Sequence, residues 1–385
     1  MHVMQMSFFV DAQRRSPEKL LTDWHSLEDI AVSVATTGAR VTVVQASLAP
    51  GELARRGVEY VFMAPEPADA PLAQCAAFGS LLQDRKPDVL HVHGLGFPRD
   101  VLALHALAPH VPILLQDHAD RPPRFWRRAA WRRGAAAAAG ISFCARAQAE
   151  TFVRAGLLDR DTAVFEIPES TSTFTPGDPA AARASTGLHG NPAVLWVGHL
   201  DRNKDPLTML DGVAAAARDL TGLQLWCCFG AGPLLAAVQG RIARDPLLRD
   251  RVHLLGRVPH DGVEKLMRAA DLFVLGSHRE GSSFALIEAL ATGLTPVVTD
   301  IPSLRALTGN GAVGALWPRG DSGALGAALR ATAAALGPHS RAAVRGHFDA
   351  HLSSAAIGRK LAAAYVSLSS ADIAGSVLSR QEALQ

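Results

Sequence analysis

Short runs of Val, Leu, Ile and Phe, apolar at every position rather than at alternate ones, recur along this chain between Ala-rich stretches of helical period. A strand that is apolar on both sides is buried on both sides, which is the condition of a parallel sheet covered by helices. In the first half the pattern predicts strands at Val3–Val10, Arg40–Gln45, Glu59–Phe62, Val89–His93, Pro112–Gln116, Ile141–Cys144 and Ala163–Ile167. From Pro168 to Pro192 the rhythm breaks: PESTSTFTPGDP and GLHGNP are dense in Pro, Ser, Thr and Gly and read as a linker. Strands resume at Ala193–Val197, Leu223–Phe229, Val252–Leu255, Leu272–Leu275 and Thr295–Thr299. The stretch from Ser340 to Leu368 has a helical pattern and is expected to cross back and brace the first half.

A chain of 385 residues exceeds one ordinary core, so the alternation divides into two domains. The expectation is an α/β chain of two Rossmann-like domains, 1–175 and 180–365, with 366–385 returning to the first. Two such units in tandem would face a central cleft at the carboxyl edges of their sheets, where ligands bind in folds of this kind.

Composition narrows the classes. The formal charge of +2 argues against a general nucleic-acid binder. Cys75, Cys144, Cys227 and Cys228 show neither CxxC pairing nor regular spacing, so no zinc site or disulfide framework is indicated and a reduced, cytoplasmic setting is expected. The opening MHVMQMSFFVDAQRRS reads as a first strand rather than a signal peptide. No apolar stretch reaches the roughly 20 residues that span a bilayer, so any membrane contact would be peripheral.

The chemistry concentrates in Ala270–Asp300, ADLFVLGSHREGSSFALIEALATGLTPVVTD. A strand ends near Leu275, a loop of small residues follows, and a helix begins around Ser282 or Ser283. A helix start leaves backbone N–H groups unpaired and carries partial positive charge, so it can hold a diphosphate without a metal. Gly281, Ser282 and Ser283 allow close approach and add hydroxyls. Glu280 stands just before the turn, and Glu288 sits among Ala285, Leu286, Ile287, Ala289 and Leu290, neighbours that predict burial. A buried carboxylate needs a partner, and the hydroxyls of a sugar or a ribose would serve. In LWVGHLDRNKDPLTMLDGV, Leu195–Val213, a strand turns at Gly198 and a helix starts at Asp205-Pro206. Lys204 would project from the loop between them, able to pair with diphosphate charge.

With EGSSFALIE at Glu280–Glu288 and ATGLTPVVTD at Ala291–Asp300, the second half resembles the retaining glycosyltransferases of the GT-B fold, family 4. The resemblance implies that Glu280 holds hydroxyls of the transferred sugar, Glu288 the ribose hydroxyls, and the amides of Ser282, Ser283 and Phe284 the donor phosphates. Lys204 matches the family's lysine, whereas His199 stands where the family has Arg; Arg202 or His199 would then supply the missing positive charge. Leu254–Val258 corresponds to the family's turn near the nucleotide base, with Gly256 and Arg257 as backbone contacts. The implied reaction is transfer of a hexose from UDP- or GDP-hexose to an unidentified acceptor with retention of anomeric configuration. It needs neither metal nor cofactor, the nucleotide sugar being a substrate. A bacterial glycan pathway goes with it; the cysteines put the chain in the cytoplasm, and the stretch Arg121–Arg133 could hold it at the inner membrane face. Two other readings stand beside it: an epimerase or hydrolase of the same fold, and a catalytically silent carbohydrate-binding protein.

In the first half the loop after Val10, DAQRRSPEKLLTDWHSLEDI, has no glycine where the family often has two, and Arg14, Arg15 and Lys19 are candidates to compensate. Asp117, His118 and Asp120 follow an apolar strand in LLQDHADRPP, and the family resemblance puts His118 beside the transferred sugar. His93 and Gly94 end the preceding strand and are, with Asp117, candidates for the acceptor side. Arg121–Arg133 contains six arginines and no acid, interleaved with Phe125, Trp126 and Trp131. This stretch suits an anionic membrane surface or an acidic acceptor, or else a solvated helix whose Trp rings pack inward.

Overall fold

Among the described residues the strands form two sheets, parallel throughout except for one antiparallel pairing at an edge. The computed structural model describes residues 1–67, 70–119 and 121–370. It divides into two units, the first Met1–Thr171 together with the chain from Ser354 onward, the second Ser172–Ser353.

In the first unit the strands are β1 (His2–Asp11), β2 (Arg40–Ser47), β3 (Gly51–Arg55), β4 (Val58–Met63), β5 (Val89–His93), β6 (Ile113–Gln116), β7 (Gly140–Phe143) and β8 (Val164–Glu166), in the order β3-β4-β2-β1-β5-β6-β7-β8. Side chains alternate between two cores, as a sheet buried on both faces requires. Met4, Met6 and Phe8 of β1 enter one core with Ile113 and Leu115 of β6, while Val3 and Leu114 enter the other. The edge strand β3 escaped the sequence reading because it carries no apolar run: Glu52, Ala54 and Arg55 are exposed, and it pairs antiparallel with β4 alone.

In the second unit the strands are β9 (Ala193–Gly198), β10 (Gln224–Phe229), β11 (Val252–Gly256), β12 (Leu272–Leu275), β13 (Thr295–Thr299) and β14 (Ala315–Trp317), in the order β11-β10-β9-β12-β13-β14. The short β14 was also not foreseen; its three residues are too few to carry a period.

Two expectations about organisation need correction. The stretch Pro168–Pro192 is not a simple linker. Asp178 caps a helix at Pro179–Thr186, its carboxylate accepting from Ala180 N at 2.9 Å, and Arg183 ties that helix to Asp271 at 2.7 Å. The return to the first unit begins at Ser354, not at 366. The predicted C-terminal helix is two helices, Ser340–His351 in the second unit and Ser354–Ser369 in the first. The latter packs on His25–Ala35 through Gly358, where a Cβ would stand 2.1 Å from the Ser33 carbonyl oxygen. Residues 371–385 of the expected returning segment, and Asp120, lie outside the described residues.

Candidate functional site

In the second unit the loops after β9 and β12 are laced together. A Cβ on Gly276 would lie 3.2 Å from the Lys204 carbonyl oxygen, so a side chain there would crowd the two loops by a few tenths of an ångström. His278 N donates to the Asn203 carbonyl at 2.7 Å, Asn203 Nδ2 donates to the Arg279 carbonyl at 3.0 Å, and His278 Nε2 meets Asp205 Oδ2 at 2.8 Å. The Asp201 carboxylate accepts from Asn203 N and Lys204 N, both at 2.9 Å, shaping the turn that presents Lys204. The lacing brings two predicted residues into contact: Lys204 Nζ donates to Glu280 Oε1, with the side chains only 18% and 11% exposed. Glu280 is further held by its backbone, whose carbonyl accepts from Ser303 Oγ at 3.1 Å.

The helix begins where the small residues predicted, at Phe284–Ala291 with Ser283 as its cap. Ser282 and Ser283 are buried, Phe284 is exposed, and the Ser283 side chain makes no capping hydrogen bond. The first amides of a helix find no acceptor within the helix itself. Glu288 is buried as expected, and its partner is one the sequence did not reveal. His260 Nε2 lies 2.6 Å from Glu288 Oε1, with the His260 ring 4.6 Å from that of Phe174. His260 sits on a different strand's connection, at the start of helix His260–Ala269, so no spacing could have linked it to Glu288.

Gly198 ends β9, where a Cβ would approach Lys204 Cδ at 3.7 Å. His199 is exposed, and its Nδ1 accepts from Ala231 N at 3.0 Å. Through this bond the imidazole ties the end of β9 to the loop after β10. Arg202 is exposed. Gly256 has a φ of 69°, the left-handed region that glycine enters freely, and ends β11 at a bulge where Leu255 is skipped between Leu254 and Gly256. Arg257 reaches the same loop as His199, since a Cβ on Gly230 would stand 3.2 Å from His199 Cε1 and 4.0 Å from Arg257 Nη2.

In the first unit the carboxyl ends of β5 and β6 carry a chain of imidazoles. His118 Nδ1 lies 2.8 Å from Glu169 Oε2, His118 Nε2 lies 3.1 Å from His93 Nδ1, and His93 Nε2 lies 3.4 Å from Gln5 Oε1. His91 stacks on His93 with centroids 4.5 Å apart and meets the Tyr365 hydroxyl at 2.7 Å. Burial, which disfavours the charged ring, pushes His91 down to about 3 and His93 well below its ordinary value; the nearby rings add to both shifts. Gly94 turns at φ 93°, its N–H donating to the Gln116 carbonyl at 2.8 Å, and buried Asp117 accepts from Ala119 N at 3.3 Å. His93, Gly94, Asp117 and His118 therefore gather at one sheet end. Glu169, Gln5 and Tyr365 complete the network unforeseen: Glu169 lay inside the supposed linker, and Tyr365 is contributed by the returning helix.

The glycine-free loop after β1 satisfies itself. The Asp11 carboxylate accepts from Arg15 N at 2.9 Å and Gln13 N at 3.1 Å, and the Arg15 amide leads the influences that hold this carboxyl below its ordinary value. Arg15 lies 3.4 Å from Asp23 and over the Trp24 ring, and Lys19 meets Asp23 at 2.8 Å, so two of the three candidate cations are engaged at home. Arg14 is exposed.

Comparison with known proteins agrees with this architecture. Residues 191–334 match the family described as Glycosyl transferases group 1, and residues 24–166 match the Glycosyl transferase 4-like domain. Each half of the chain thus matches a glycosyltransferase family model. The D-inositol 3-phosphate glycosyltransferase of Mycobacterium sp. (strain JLS) is 34% identical over 155 residues, taking in 39% of this chain and 34% of that protein. The chain thus spans about a third of the length of such relatives. The 2-deoxystreptamine N-acetyl-D-glucosaminyltransferase of Streptomyces fradiae is 30% identical over 66% of this chain and 64% of its own length. The GDP-mannose:cellobiosyl-diphosphopolyprenol alpha-mannosyltransferase of Xanthomonas campestris is 28% identical over 57% of each. Among solved structures, a glycosyltransferase from Rickettsia africae ESF-5 has a TM-score of 0.71 at 12% identity, covering 95% of this chain and 98% of that one. Anabaena Alr3699/HepE in complex with UDP has 0.69 at 17%, covering 95% and 100%. The fold is GT-B, as the resemblance implied. The match over residues 24–166 extends the likeness into the half where no single motif carried it.

Proposed function

We propose that this chain is a retaining glycosyltransferase that moves a hexose from a nucleoside diphosphate sugar to a hydroxyl acceptor. The observation that carries the reading is the meeting of Lys204 with Glu280 just before the start of helix Phe284–Ala291. A cation, a carboxylate and a helix start in one loop pair match a donor with an anionic diphosphate on one side and sugar hydroxyls on the other. Lys204 and the amides of Ser282, Ser283 and Phe284 take the phosphates, Glu280 the sugar hydroxyls, and Glu288 the ribose, displacing His260. Arg202, exposed beside Lys204, adds positive charge, and Gly256 with Arg257 approaches the base.

In the reaction the bond from the sugar's anomeric carbon to the β-phosphate oxygen breaks, and the acceptor oxygen bonds to the same carbon on the same face. The acceptor's proton passes to the leaving phosphate. Lys204 and the helix amides stabilise the charge that develops on the diphosphate, a term worth on the order of 3 kcal/mol per well-placed donor. On the acceptor side, His118, with its Nδ1 held by Glu169, positions the sugar, and His93, Gly94 and Asp117 line its surroundings. Metal and cofactor have no part in this scheme. The matched relatives name substrates as different as an inositol 3-phosphate and a cellobiosyl-diphosphopolyprenol, which share ring hydroxyls; that chemical class is the acceptor proposed here.

The test is titration calorimetry with UDP- and GDP-hexoses, then NMR of the product anomer with a panel of hydroxylated acceptors. Binding of one donor, abolished turnover in Glu280→Ala and a retained anomer are expected. Inversion would reject retention. Donor binding and turnover unchanged in Glu280→Ala would reject the site. Isomerised or free sugar formed at the same rate without acceptor would make the protein an epimerase or hydrolase.

A further inference from the structure

The arginine-rich stretch is resolved by the structure into two parts with opposite fates. Phe125–Arg127 form a 3-10 turn and Arg128–Ala136 an α-helix, so the arginines do not lie along one continuous helix. Trp131 turns inward, packing against the core and lining an apolar cavity with Leu95, Val101 and Phe152. Phe125 and Trp126 turn outward. At 76% Phe125 is the most exposed large hydrophobic side chain among the described residues, and Trp126 beside it is 59% exposed. The two rings stand edge to face with centroids 5.0 Å apart, and the Arg124 guanidinium lies over the Trp126 ring at 5.3 Å. All six arginines of Arg121–Arg133 are exposed, and the stretch holds no carboxylate of its own.

An exposed aromatic pair is costly in water, and exposed guanidinium groups on either side of it in the chain disfavour a neutral apolar partner. The combination fits a surface that is apolar below and anionic above. We propose that this face docks the chain on an anionic lipid bilayer, Phe125 and Trp126 entering the headgroup layer while the arginines lie against lipid phosphates. The proposal does not rest on the sugar-transfer reading, because none of these residues belongs to the donor or acceptor machinery.

Sedimentation of the full chain with vesicles tests it. One set is phosphatidylcholine alone, the other phosphatidylcholine with about one part in four phosphatidylglycerol, at about 0.1 M salt. Partition onto the anionic set is expected, with little onto the neutral set and loss at about 1 M salt. The F125S/W126S variant should bind about a hundredfold more weakly, about tenfold per ring. The R124Q/R127Q/R128Q variant should lose a similar factor, about fivefold per arginine. Every substituted side chain is exposed, and unchanged circular dichroism and melting temperature show that the fold is retained. Equal partition onto both vesicle sets, or binding unaltered in F125S/W126S, overturns the proposal. So does capture on heparin that needs the arginines but not the rings, with no capture on vesicles, which would make the ligand a soluble polyanion.

Discussion

Breaking the Lys204–Glu280 pair should separate its structural worth from its service to a ligand. The side chains are 18% and 11% exposed, so each charge would be left largely out of water if its partner vanished. Removing one member of a fully buried pair costs ~3–5 kcal/mol. The residual exposure of Lys204 lets water reach it, which brings the expectation down to ~2 kcal/mol for either Lys204→Met or Glu280→Gln. The double variant leaves no orphaned charge and should be destabilised by less than the sum of the singles, giving a coupling of ~1–2 kcal/mol in a double-mutant cycle. Denaturation by urea, followed by circular dichroism and by tryptophan emission, measures it on the full chain. Trp196, Trp226 and Trp317 report on the second unit. Binding then splits the two singles. With UDP as the probe, Lys204→Met should weaken affinity at least tenfold, the loss of one charge-assisted hydrogen bond. Glu280→Gln releases the ammonium from its carboxylate and should leave UDP affinity equal or stronger while turnover falls. Coupling below about 0.5 kcal/mol together with unchanged UDP affinity in Lys204→Met would refute the reasoning.

Acid should weaken the first unit through its buried imidazoles. Unfolded, His91 and His93 take up protons near 6.5; folded, His91 does so only at about 3 and His93 well below 6.5. The unfolded chain therefore binds more protons as pH falls, and stability present above about pH 6.5 is lost between there and about pH 3. For His91 alone the loss by pH 5 is on the order of 2 kcal/mol. A pH series of urea midpoints should flatten in His91→Gln; an unchanged slope would show that the ring is not held neutral by the fold. One substitution should act with opposite sign at two helical glycines. Gly358→Ala puts a Cβ 2.1 Å from the Ser33 carbonyl oxygen, a backbone atom that cannot rotate aside, whereas at exposed Gly346 a Cβ meets nothing within 4 Å. Better helix propensity is worth about 1 kcal/mol at either site, but at Gly358 the clash of ~3 kcal/mol exceeds it. Calorimetric melting should show a fall of about 5 °C for Gly358→Ala and a small rise for Gly346→Ala. A rise in both would mean the two helices separate at little cost.

How much of this was legible depends on the range of the interaction that produces each feature. Burial on both faces of a strand is written into consecutive residues, so most strands, the two-unit organisation and the helix start at Phe284 followed from the chain alone. Features that lacked a local signature were missed: β3 has no apolar run, and the helix Pro179–Thr186 hides among turn-forming residues. The partners of the predicted side chains were missed for another reason. Glu288 and His260, like His118 and Glu169, lie on different connections of their sheets, and His91 of β5 meets Tyr365 of the returning helix; each pair meets only because the packed fold brings distant segments together. The sequence by itself determined which segments bury apolar surface and which residue types could handle phosphate and hydroxyl groups. Tertiary structure alone decided which nitrogen meets which carboxylate, that His199 serves as an acceptor, and that Trp131 packs inward while Phe125 and Trp126 face water. Hydrophobic periodicity is a property of neighbours along the chain, whereas a hydrogen bond needs two groups placed within about 3 Å, and only the packed fold sets that distance.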